Sequence, residues 1–320
     1  MRHLIILILS LSVVSCANSQ EWRLVWEDNF DGPEINAANW NLEDNARGGG
    51  NAELQYYTPH NASIEKHPVT GESCLVISAK RENYNNRPAT SARLNTQDKV
   101  TVKYGKIEVR IAFPKTADGL WPAFWMLGND LATNLGNNDD IDKQKKQLKK
   151  QGRVLWPKCG EIDIVEMGHS DGIKDGKQDR FFNGAAHWGE DFNGGNYPND
   201  VSMCTTNYSL LNDFHLFTVI WDKEKIEMYL DLDKHPDEKP YFTLDLTKKK
   251  KNEPGRYFCK PFYFVVNLAV GGFFPDMPAA EKYPAVITAN DPSFQKVTAL
   301  PTDGSPVKMY VDYIKVFKLK

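Results

Sequence analysis

Residues 160–168 carry the chemistry of this sequence, because they hold three acidic side chains among β-branched ones. Branched aliphatic residues favour a β-strand, in which alternate side chains share a face. Glu161 and Asp163 therefore lie together, whereas strict alternation places Glu166 on the apolar face. One extra residue, a β-bulge at Ile164–Val165, restores the register and returns Glu166 to the acidic face. The sequence predicts three carboxyl groups on one face of one strand.

Three neighbouring carboxyl groups repel one another, and this repulsion raises the pKa of at least one of them. Glycoside hydrolysis uses one ionised and one protonated carboxyl group, which in the retaining mechanism lie roughly 5–5.5 Å apart. Positions of like facing plus a bulge predict such a span between Glu161 and Glu166. Asp163, which lies between them, is placed to hydrogen-bond the nucleophile. The alternatives are an exposed acidic edge strand and a cation site.

The run Glu-Ile-Asp-Ile-Val-Glu at residues 161–166 resembles the active-site signature of glycoside hydrolase family 16, in the bulged form of its laminarinases, agarases and carrageenases. The resemblance implies an all-β fold, a concanavalin A-like β-jelly-roll sandwich of two curved antiparallel sheets with a concave substrate cleft. It also implies that Glu161 is the nucleophile, Asp163 its helper and Glu166 the acid/base. Glu161 is then expected to hold the lower pKa, since the attacking group must be ionised.

The second strong pattern is residues 119–128, in which Trp121, Ala123 and Trp125 share one strand face. An aromatic face by itself is typical of a core. Beside the acidic strand it predicts the floor of a sugar-binding groove, because the CH faces of pyranose rings stack on indole. The block resembles the laminarinase pattern almost residue for residue.

Other segments resemble the laminarinase branch and add polar contacts with substrate. The glycine-rich loop 45–51 is expected to form the lip of the cleft, since a phosphate-binding loop would need a helix after it. Arg93 is either a subsite residue or a solvated loop residue, and His187 either a cleft contact or a structural histidine. The expected substrate-binding residues are Asn51, Arg93, Trp121, Trp125, Trp156, His187 and Asn267.

Residues 131–153 depart from the family pattern as an insertion. Acids near its start, lysines near its end and a glycine at position 152 predict a short solvated helix. The place of this segment before Trp156 puts it at the rim of the groove. It is either a wall that touches substrate or a neutral surface insertion.

Residues 1–20 are predicted to be a lipoprotein signal peptide and tether, and residues 21–320 the catalytic domain. An apolar run too short to span a membrane ends near Cys16, in a pattern that resembles a bacterial lipobox. We therefore expect export and a lipid anchor at Cys16, at the outer membrane, the cell surface or in the periplasm. The alternative is ordinary signal cleavage nearby.

The composition limits the classes of molecule that the protein is expected to bind. The chain has 320 residues, a formal net charge of −3 and 12% aromatic residues, with eight tryptophans. Near-neutral charge argues against a nucleic-acid partner. The expected partner is a β-glucan, the membrane is contacted only through the lipid anchor, and the protein is expected to be a monomer. Four further cysteines match no zinc pattern and are not expected to need pairing; they are Cys74, Cys159, Cys204 and Cys259.

No cofactor is expected for catalysis, but a structural calcium ion is considered. Asp312, in the last predicted strand, matches a family position whose aspartate often helps to hold that ion. Asn29 stands where the family has an acid, which is a departure from the calcium-binding pattern.

Alternating apolar residues predict the strands that must position these groups. The expected strands cover residues 73–80, 99–113 with a turn at Gly105, 182–188, 214–221, 225–231, 262–272 and 307–319. Residues 171–179 are expected to form a polar loop, and the sequence shows no internal repeat and no second domain.

Together these patterns predict a retaining endo-glycosidase that hydrolyses β-1,3-glucan of the laminarin type, with mixed-linkage β-1,3-1,4-glucan as a further substrate. One alternative is the same chemistry on agarose, carrageenan or a galactan, although a sulfated glycan calls for more arginine and lysine in the groove. The other is a non-catalytic carbohydrate-binding protein, which needs no row of carboxyl groups.

Overall fold

Short alternating segments form two β-sheets that pack face to face. The structure is a computed structural model that describes residues 21–114, 118–132, 141–281 and 284–320, with the backbone alone at 141–145. The strands are β1 Trp22–Asp28, β2 Asn41–Leu42, β3 Tyr56–Tyr57, β4 Ala62–Lys66, β5 Ser73–Tyr84, β6 Arg87–Ser91, β7 Arg93–Asn95, β8 Gly105–Ala112, β9 Leu120–Gly128, β10 Glu161–Met167, β11 Phe181–His187, β12 Asn199–Thr205, β13 Phe214–Trp221, β14 Lys225–Leu230, β15 Phe242–Asp245, β16 Phe262–Val270 and β17 Val307–Leu319. The α-helices are α1 Ile141–Lys150, α2 Ser170–Lys174 and α3 Pro292–Gln295, and the 3₁₀ turns are Gly48–Gly50, Pro59–Asn61, Asn193–Gly195 and Pro254–Arg256.

The larger sheet has ten described strands and the smaller one seven. The larger sheet follows the order β15-β14-β13-β8-β17-β5-β6-β3, with β1 paired to β17 and β4 to β5. The smaller sheet follows the order β12-β11-β10-β9-β16-β7-β2. These strand pairs are antiparallel apart from β3 with β6. The predicted all-β sandwich of two antiparallel sheets is confirmed.

The inner faces of both sheets meet in one apolar core. Ile107 and Val109 of β8 are fully buried there, and Phe124 and Met126 of β9 fill the same core from the other sheet. Burying each such side chain contributes roughly 1.5–3 kcal/mol, so a one-residue slip that turned them outward is strongly disfavoured. Because the register is fixed from inside, the opposite face of the smaller sheet is free to carry polar and aromatic residues.

Two predicted elements differ from the structure. The strand expected over 99–113 begins only at Gly105, because the N–H groups of residues 99 and 100 both turn back to the carbonyl oxygen of Thr96. The loop expected over 171–179 begins as the short helix α2, whose first turn is capped by His169: its ring accepts a hydrogen bond from the backbone N–H of Asp171.

The helix predicted in the insertion is present as α1, with Lys149 and Lys150 in its last turn. Gly152 follows at φ +68°, a conformation that glycine adopts without the steric cost of a Cβ atom. The cysteines among the described residues are unpaired. Within the described ranges, no helix combines the length and the apolar character needed to cross a membrane. Cys16 and the predicted signal peptide lie outside the described residues.

Candidate active site

The bulge predicted in the acidic strand is present in β10. Between Asp163 and Glu166, three steps along β10 match two steps along the neighbouring β11. The register with β9 shifts at the same place. Ile164 and Val165 are both buried. The extra residue returns Glu166 to the face that carries Glu161, as the sequence predicted.

The larger sheet supports this bulge from behind. A bulge frees backbone polar groups from the strand ladder, and the Tyr241 hydroxyl donates a hydrogen bond to the carbonyl oxygen of Ile164. Tyr241 directly precedes β15, the edge strand of the larger sheet. Its ring packs over Gly184 of β11, where an added Cβ would lie 2.8 Å from a ring carbon. The bulge that carries the acids is therefore contacted by a residue at the edge of the other sheet.

The three acids line one cavity of about 590 Å³ on the smaller sheet. Cavities of this size are typical of small-molecule and cofactor sites. The lining also includes six of the seven residues expected to bind substrate, namely Asn51, Arg93, Trp121, Trp125, Trp156 and Asn267. Ala123 lines it between the two tryptophans of β9, which agrees with the face assignment made from the sequence.

Hydrogen bonds fix the orientation of both glutamates. Trp156 Nε1 donates to Glu161 Oε2 at 3.0 Å. At Glu166, Trp121 Nε1 donates to Oε1 at 3.0 Å, and Asn183 Nδ2 donates to Oε2 at 2.7 Å. Two of the tryptophans that were expected to contact sugar therefore also orient the carboxyl groups, because an indole N–H can only donate.

Burial raises the pKa of all three acids. The pKa of Glu161 is raised to about 8, with desolvation as the first cause and repulsion from Asp163 as the second. Desolvation also raises the pKa of Asp163 well above its usual range and, against hydrogen bonds from Asn183 and Trp121, raises that of Glu166. The cleft removes water from the whole acidic row, so burial raises the pKa of the proposed nucleophile as well as that of the proposed acid/base; that Glu161 holds the lower pKa of the two stays a prediction. A proton on Asp163 would remove the repulsion at Glu161.

His187 contacts the middle acid. Its Nε2 lies 3.2 Å from Asp163 Oδ2, and within the described residues that oxygen has no hydrogen bond of good geometry. His187 does not belong to the cavity lining, and its charge opposes the increase in the pKa of Glu161 and Glu166. His187 is therefore an electrostatic partner of Asp163 at the acidic row, and its contact with substrate stays a prediction.

Two places in the described structure bear on metal binding. Glu161, Asp163 and His187 each offer one ligand atom within 4.8 Å of the others, and in the described part of the chain they are the one such group of three. At Asp312, the Arg110 guanidinium donates to Oδ2 at 2.6 Å. A side-chain cation therefore already pairs with one oxygen of this carboxylate, and the calcium ion considered there stays a prediction.

A second network lies beside the acids, on β9, β16 and β7. Trp125 Nε1 donates to Asn267 Oδ1 at 2.7 Å. The guanidinium carbon of Arg93 lies 4.8 Å from the centre of the Trp125 ring, and Arg93 Nε lies 3.0 Å from Glu43 Oε1. Pairing and stacking together hold Arg93 in place, so it is a fixed cation of the cleft and not a solvated loop residue.

Aromatic side chains form walls at both ends of the acidic row. Near Glu161, the ring centroid of Trp156 lies 4.7 Å from that of Tyr197 and 5.7 Å from that of Phe192. Near Glu166, Trp121 stacks on Phe274 with centroids 4.7 Å apart. Such rings give a groove apolar surfaces on which the CH faces of sugars pack.

Among its described residues, the insertion reaches the cleft at one position and lines a neighbouring cavity with part of α1. Leu131 lines the main cavity. Leu148 and Lys149 of α1 line a second cavity of about 680 Å³, which shares Trp156 with the first. The insertion therefore extends the wall at the Glu161 end, and contact between α1 and substrate stays a prediction.

Reasoning from the sequence missed several cleft residues, namely Glu53, Asn183, Phe192, Tyr197 and Phe273. Asn183 lies opposite Glu166 in the register of β10 and β11, so the pairing of the two predicted strands was a signal that could have found it. Phe192, Tyr197 and Phe273 lie outside the strands, and no pattern in their own segments marks them.

Comparisons with known proteins agree on one family. No protein-family model matches the chain. The glucan endo-1,3-beta-glucosidase of Cryptopygus antarcticus is 32% identical over 264 residues, which cover 79% of this chain and 82% of that protein. The chain spans 37% and 38% of the length of two further curated relatives, which are longer proteins.

Solved structures give the same result over nearly the whole chain. The Bacteroides ovatus mixed linkage glucan GH16 protein in complex with a G4G4G3G product has a TM-score of 0.68 and 30% identity, covering 91% of this chain and 99% of that one. The catalytic domain of the Thermotoga petrophila endo-1,3-beta-glucanase (laminarinase) has a TM-score of 0.66 and 31% identity, covering 94% of this chain and 100% of that one.

Proposed function

The chain belongs to glycoside hydrolase family 16, and on that premise we propose that it is a retaining endo-β-1,3-glucanase of the laminarinase type. The observation that carries the proposal is the row of Glu161, Asp163 and Glu166 on one bulged strand in one aromatic-walled cavity. A binding site for a neutral sugar needs no such row, because burying three like charges raises their pKa values and destabilises the fold.

The reaction takes two displacements. Glu161 attacks C1 of the sugar while the proton of Glu166 passes to the leaving oxygen, so the C1–O bond breaks and a glycosyl-enzyme ester forms. The ester is uncharged, which removes one carboxylate from beside Glu166 and makes it easier to ionise. Glu166 then takes a proton from water, whose oxygen attacks C1 and releases Glu161. The sugar keeps its original anomeric configuration.

The charges of the cleft favour a neutral glucan. The described lining contains Glu53 and the three acids of β10, against one cation, Arg93, which is already paired with Glu43. Sulfate groups would meet repulsion from this acidic lining. Carrageenan and other sulfated glycans therefore rank below β-1,3-glucan as substrates, whereas agarose and unsulfated galactans are distinguished from it by the product profile. A carbohydrate-binding role without hydrolysis ranks below all of these.

Mixed-linkage β-1,3-1,4-glucan is the second candidate substrate. The observation in its favour is the similarity to the Bacteroides ovatus mixed linkage glucan protein, whose complex holds a G4G4G3G product. The cleft offers the same acids to both glucans, so we expect both to be cleaved, with β-1,3-glucan as the better substrate.

The test is a product profile. The purified full chain is incubated with laminarin, lichenan, agarose and carrageenan, and the products are separated by chain length, with Glu161→Gln as the inactive control. We expect laminarin to yield a range of oligosaccharides from internal cleavage. Turnover of agarose or carrageenan alone would overturn the proposed substrate. If the wild type and Glu161→Gln bind sugar equally and neither gives products, the proposed enzymatic activity is wrong.

We also propose that the protein is exported and anchored through a lipid on Cys16, and that it acts as a monomer. The support is the apolar run and the lipobox-like pattern in the sequence. Wild type and Cys16→Ser are compared by cell fractionation and by mass spectrometry of the N-terminal peptide. We expect a lipid adduct and membrane association in the wild type alone; the same fractionation for both proteins would contradict the anchor.

A further inference from the structure

Glu53 is a buried acid in the cleft wall that the proposed reaction does not use. It is 4% exposed, and its side chain lies under the glycine-rich lip: a Cβ added to Gly49 would lie 1.9 Å from Glu53 Oε1. The other oxygen, Oε2, accepts two hydrogen bonds, from Gln55 Nε2 at 2.7 Å and from the Tyr57 hydroxyl at 2.8 Å. Two donors thus converge on one buried oxygen atom.

The direction of the first hydrogen bond is fixed from its far end. The backbone N–H of Val270 donates to Gln55 Oε1 at 2.7 Å. A backbone N–H can only donate, so the amide of Gln55 must turn its oxygen towards Val270 and its NH₂ group towards Glu53. Glu53 Oε2 has to act as an acceptor for Gln55.

The second hydrogen bond ends a longer chain that begins at the sugar-binding floor. Trp125 Nε1, which can only donate, bonds to Asn267 Oδ1 at 2.7 Å. Asn267 therefore turns Nδ2 towards the Tyr57 oxygen, 3.4 Å away, and that oxygen must accept. The Tyr57 proton is then directed at Glu53 Oε2. One chain of hydrogen bonds begins at the Val270 N–H and the other at Trp125 Nε1, and both groups can only donate. Both chains therefore end at Glu53, which accepts.

We propose that Glu53 positions Asn267 and Trp125 for the glucan, as the final acceptor of the chain Trp125–Asn267–Tyr57–Glu53. The inference rests on the proposed function, because it assumes that Asn267 and Trp125 meet the substrate. With the acceptor in place, the Asn267 amide keeps one orientation and offers the second hydrogen of Nδ2 to a sugar hydroxyl. Without it, the Tyr57 proton turns towards Asn267, the amide reverses, and the Trp125 N–H loses its partner.

The chain of hydrogen bonds requires a hydrogen-bond acceptor at position 53, and a negative charge is not itself the requirement. A glutamine side chain supplies an oxygen that accepts both donors, whereas a leucine fills similar space and accepts neither. Glu53→Gln should therefore preserve the positioning of Asn267, and Glu53→Leu should remove it. Tyr57→Phe interrupts the same chain one link earlier and keeps the acid.

The experiment is a double-mutant cycle on soluble β-1,3-glucan. KM and kcat are measured for the wild type, Glu53→Gln, Glu53→Leu, Asn267→Ala and the Glu53→Leu/Asn267→Ala double variant. We expect Glu53→Leu to raise KM about tenfold, with kcat changed less than about threefold and Glu53→Gln within about twofold of wild type. The double variant should be no worse than Asn267→Ala, since Glu53 acts through Asn267.

Additive losses in the double variant would overturn the inference, as would a Glu53→Gln variant as weak as Glu53→Leu. The matched control is Asp231→Asn, which changes an equally buried acid in the other sheet and should leave KM unchanged. If Glu53→Leu shows no cooperative melting transition, Tyr57→Phe replaces it in the cycle with the same expectations. A wild type that cleaves a different glycan refutes the proposed substrate, and the cycle is then measured on that glycan.

Discussion

Two buried aspartate–histidine pairs, one in each sheet, have opposite electrostatics. In the larger sheet, Asp231 Oδ2 lies 2.8 Å from His215 Nδ1. In the smaller sheet, Asp163 Oδ2 lies 3.2 Å from His187 Nε2. The aspartates are buried to nearly the same degree, at 2% and 4% exposure. Even so, the pKa of Asp231 is lowered and that of Asp163 is raised well above its usual range.

The donors around each carboxylate account for the difference. Desolvation alone would raise the pKa of Asp231, but it is outweighed by hydrogen bonds from His215 and from the Leu216 N–H at 2.9 Å, and by the charge of Lys234 at 3.3 Å. At Asp163, repulsion from Glu166 adds to desolvation. Burial therefore does not decide the direction of a pKa shift. In the structural pair, Asp231 with His215, hydrogen-bond donors stabilise the ionised carboxylate. In the catalytic pair, Asp163 with His187, desolvation and repulsion favour the protonated carboxyl group.

Replacing Glu161, the proposed nucleophile beside Asp163, should lower kcat more than any other substitution considered below. Glu161→Ala loses the nucleophile of both steps, so we expect kcat on laminarin to fall on the order of 10⁵-fold. Azide should restore turnover with inverted configuration, because a small anion fills the space of the missing carboxylate. Glu166→Ala should still form the intermediate from substrates with good leaving groups, and azide should then give a product of retained configuration. NMR of both azide adducts is the measurement; the opposite pattern would exchange the two roles.

The next test changes Asp163 itself. Asp163→Asn keeps the shape of the side chain but can no longer change its protonation state and so tune the charges of the two glutamates, and we therefore expect kcat to fall about 10²-fold. The same substitution should stabilise the fold at pH 7. A carboxyl group with a raised folded-state pKa destabilises the protein as pH rises from the unfolded pKa to the folded one, and asparagine has no such penalty.

Urea unfolding of Asp163→Asn and of the wild type at pH 4 and pH 7 measures this stability difference. We expect the variant to be the more stable protein at pH 7 and the difference to shrink at pH 4, where the aspartate is protonated in the folded chain and about half protonated in the unfolded one, so its ionisation favours unfolding far less. A variant that is less stable than the wild type at pH 7 would show that Asp163 is held by donors in the manner of Asp231.

The structural pair should respond with the opposite sign. Asp231→Asn breaks a buried pair and leaves His215 and Lys234 without their carboxylate, so we expect a loss of about 3 kcal/mol in the free energy of unfolding at pH 7. Because the folded pKa of Asp231 is lowered, its contribution is present above the unfolded pKa and disappears as pH falls through the folded pKa. Urea unfolding at pH 7 and pH 3 measures the loss, and kcat at 25 °C should be unchanged; a fall in kcat would link this pair to the cleft.

The acidic row could be predicted from the sequence because strict alternation of side chains in this strand is incompatible with keeping its charged residues out of the core. Strict alternation would bury Glu166, and a bulge is the local solution that also keeps the neighbouring aliphatic residues inside. The faces of β9 and the bounds of β17 were predictable for the same reason, since period-two burial fixes them locally. The helix α1 was predictable from its charges and its terminal glycine.

The partners of the acids could not be predicted in this way. Asn183 reaches Glu166 only through the pairing of two strands. Glu53 is linked to Asn267 through Tyr57, which lies 210 residues before Asn267 in the sequence. His187 was predicted at its position, yet its contact with Asp163 depends on the pairing of β10 with β11. These contacts depend on which residues of distant segments lie opposite one another, and no local sequence pattern predicts that pairing.

The smallest expected effect concerns the link between the two sheets. Tyr241 directly precedes β15 at the edge of the larger sheet, and its hydroxyl donates a hydrogen bond to the Ile164 carbonyl in the bulge of the catalytic strand. Tyr241→Phe keeps the ring packed on Gly184 and removes that single hydrogen bond. We expect about 1 kcal/mol less stability, because one buried carbonyl loses its donor.

Activity should fall more than this stability loss explains if the bulge needs the hydrogen bond to aim Glu166. We expect kcat to decrease about fivefold at temperatures where the variant is fully folded, since small displacements of a proton donor slow the transfer. Tyr229→Phe is the matched control, because its hydroxyl bonds to Glu227 on the larger sheet and not to the catalytic strand. Equal kcat values for the two variants would mean that apolar packing alone sets the bulge and that the sheets act independently. A loss confined to Tyr241→Phe would show that the larger sheet holds the acid/base in place through one hydroxyl group.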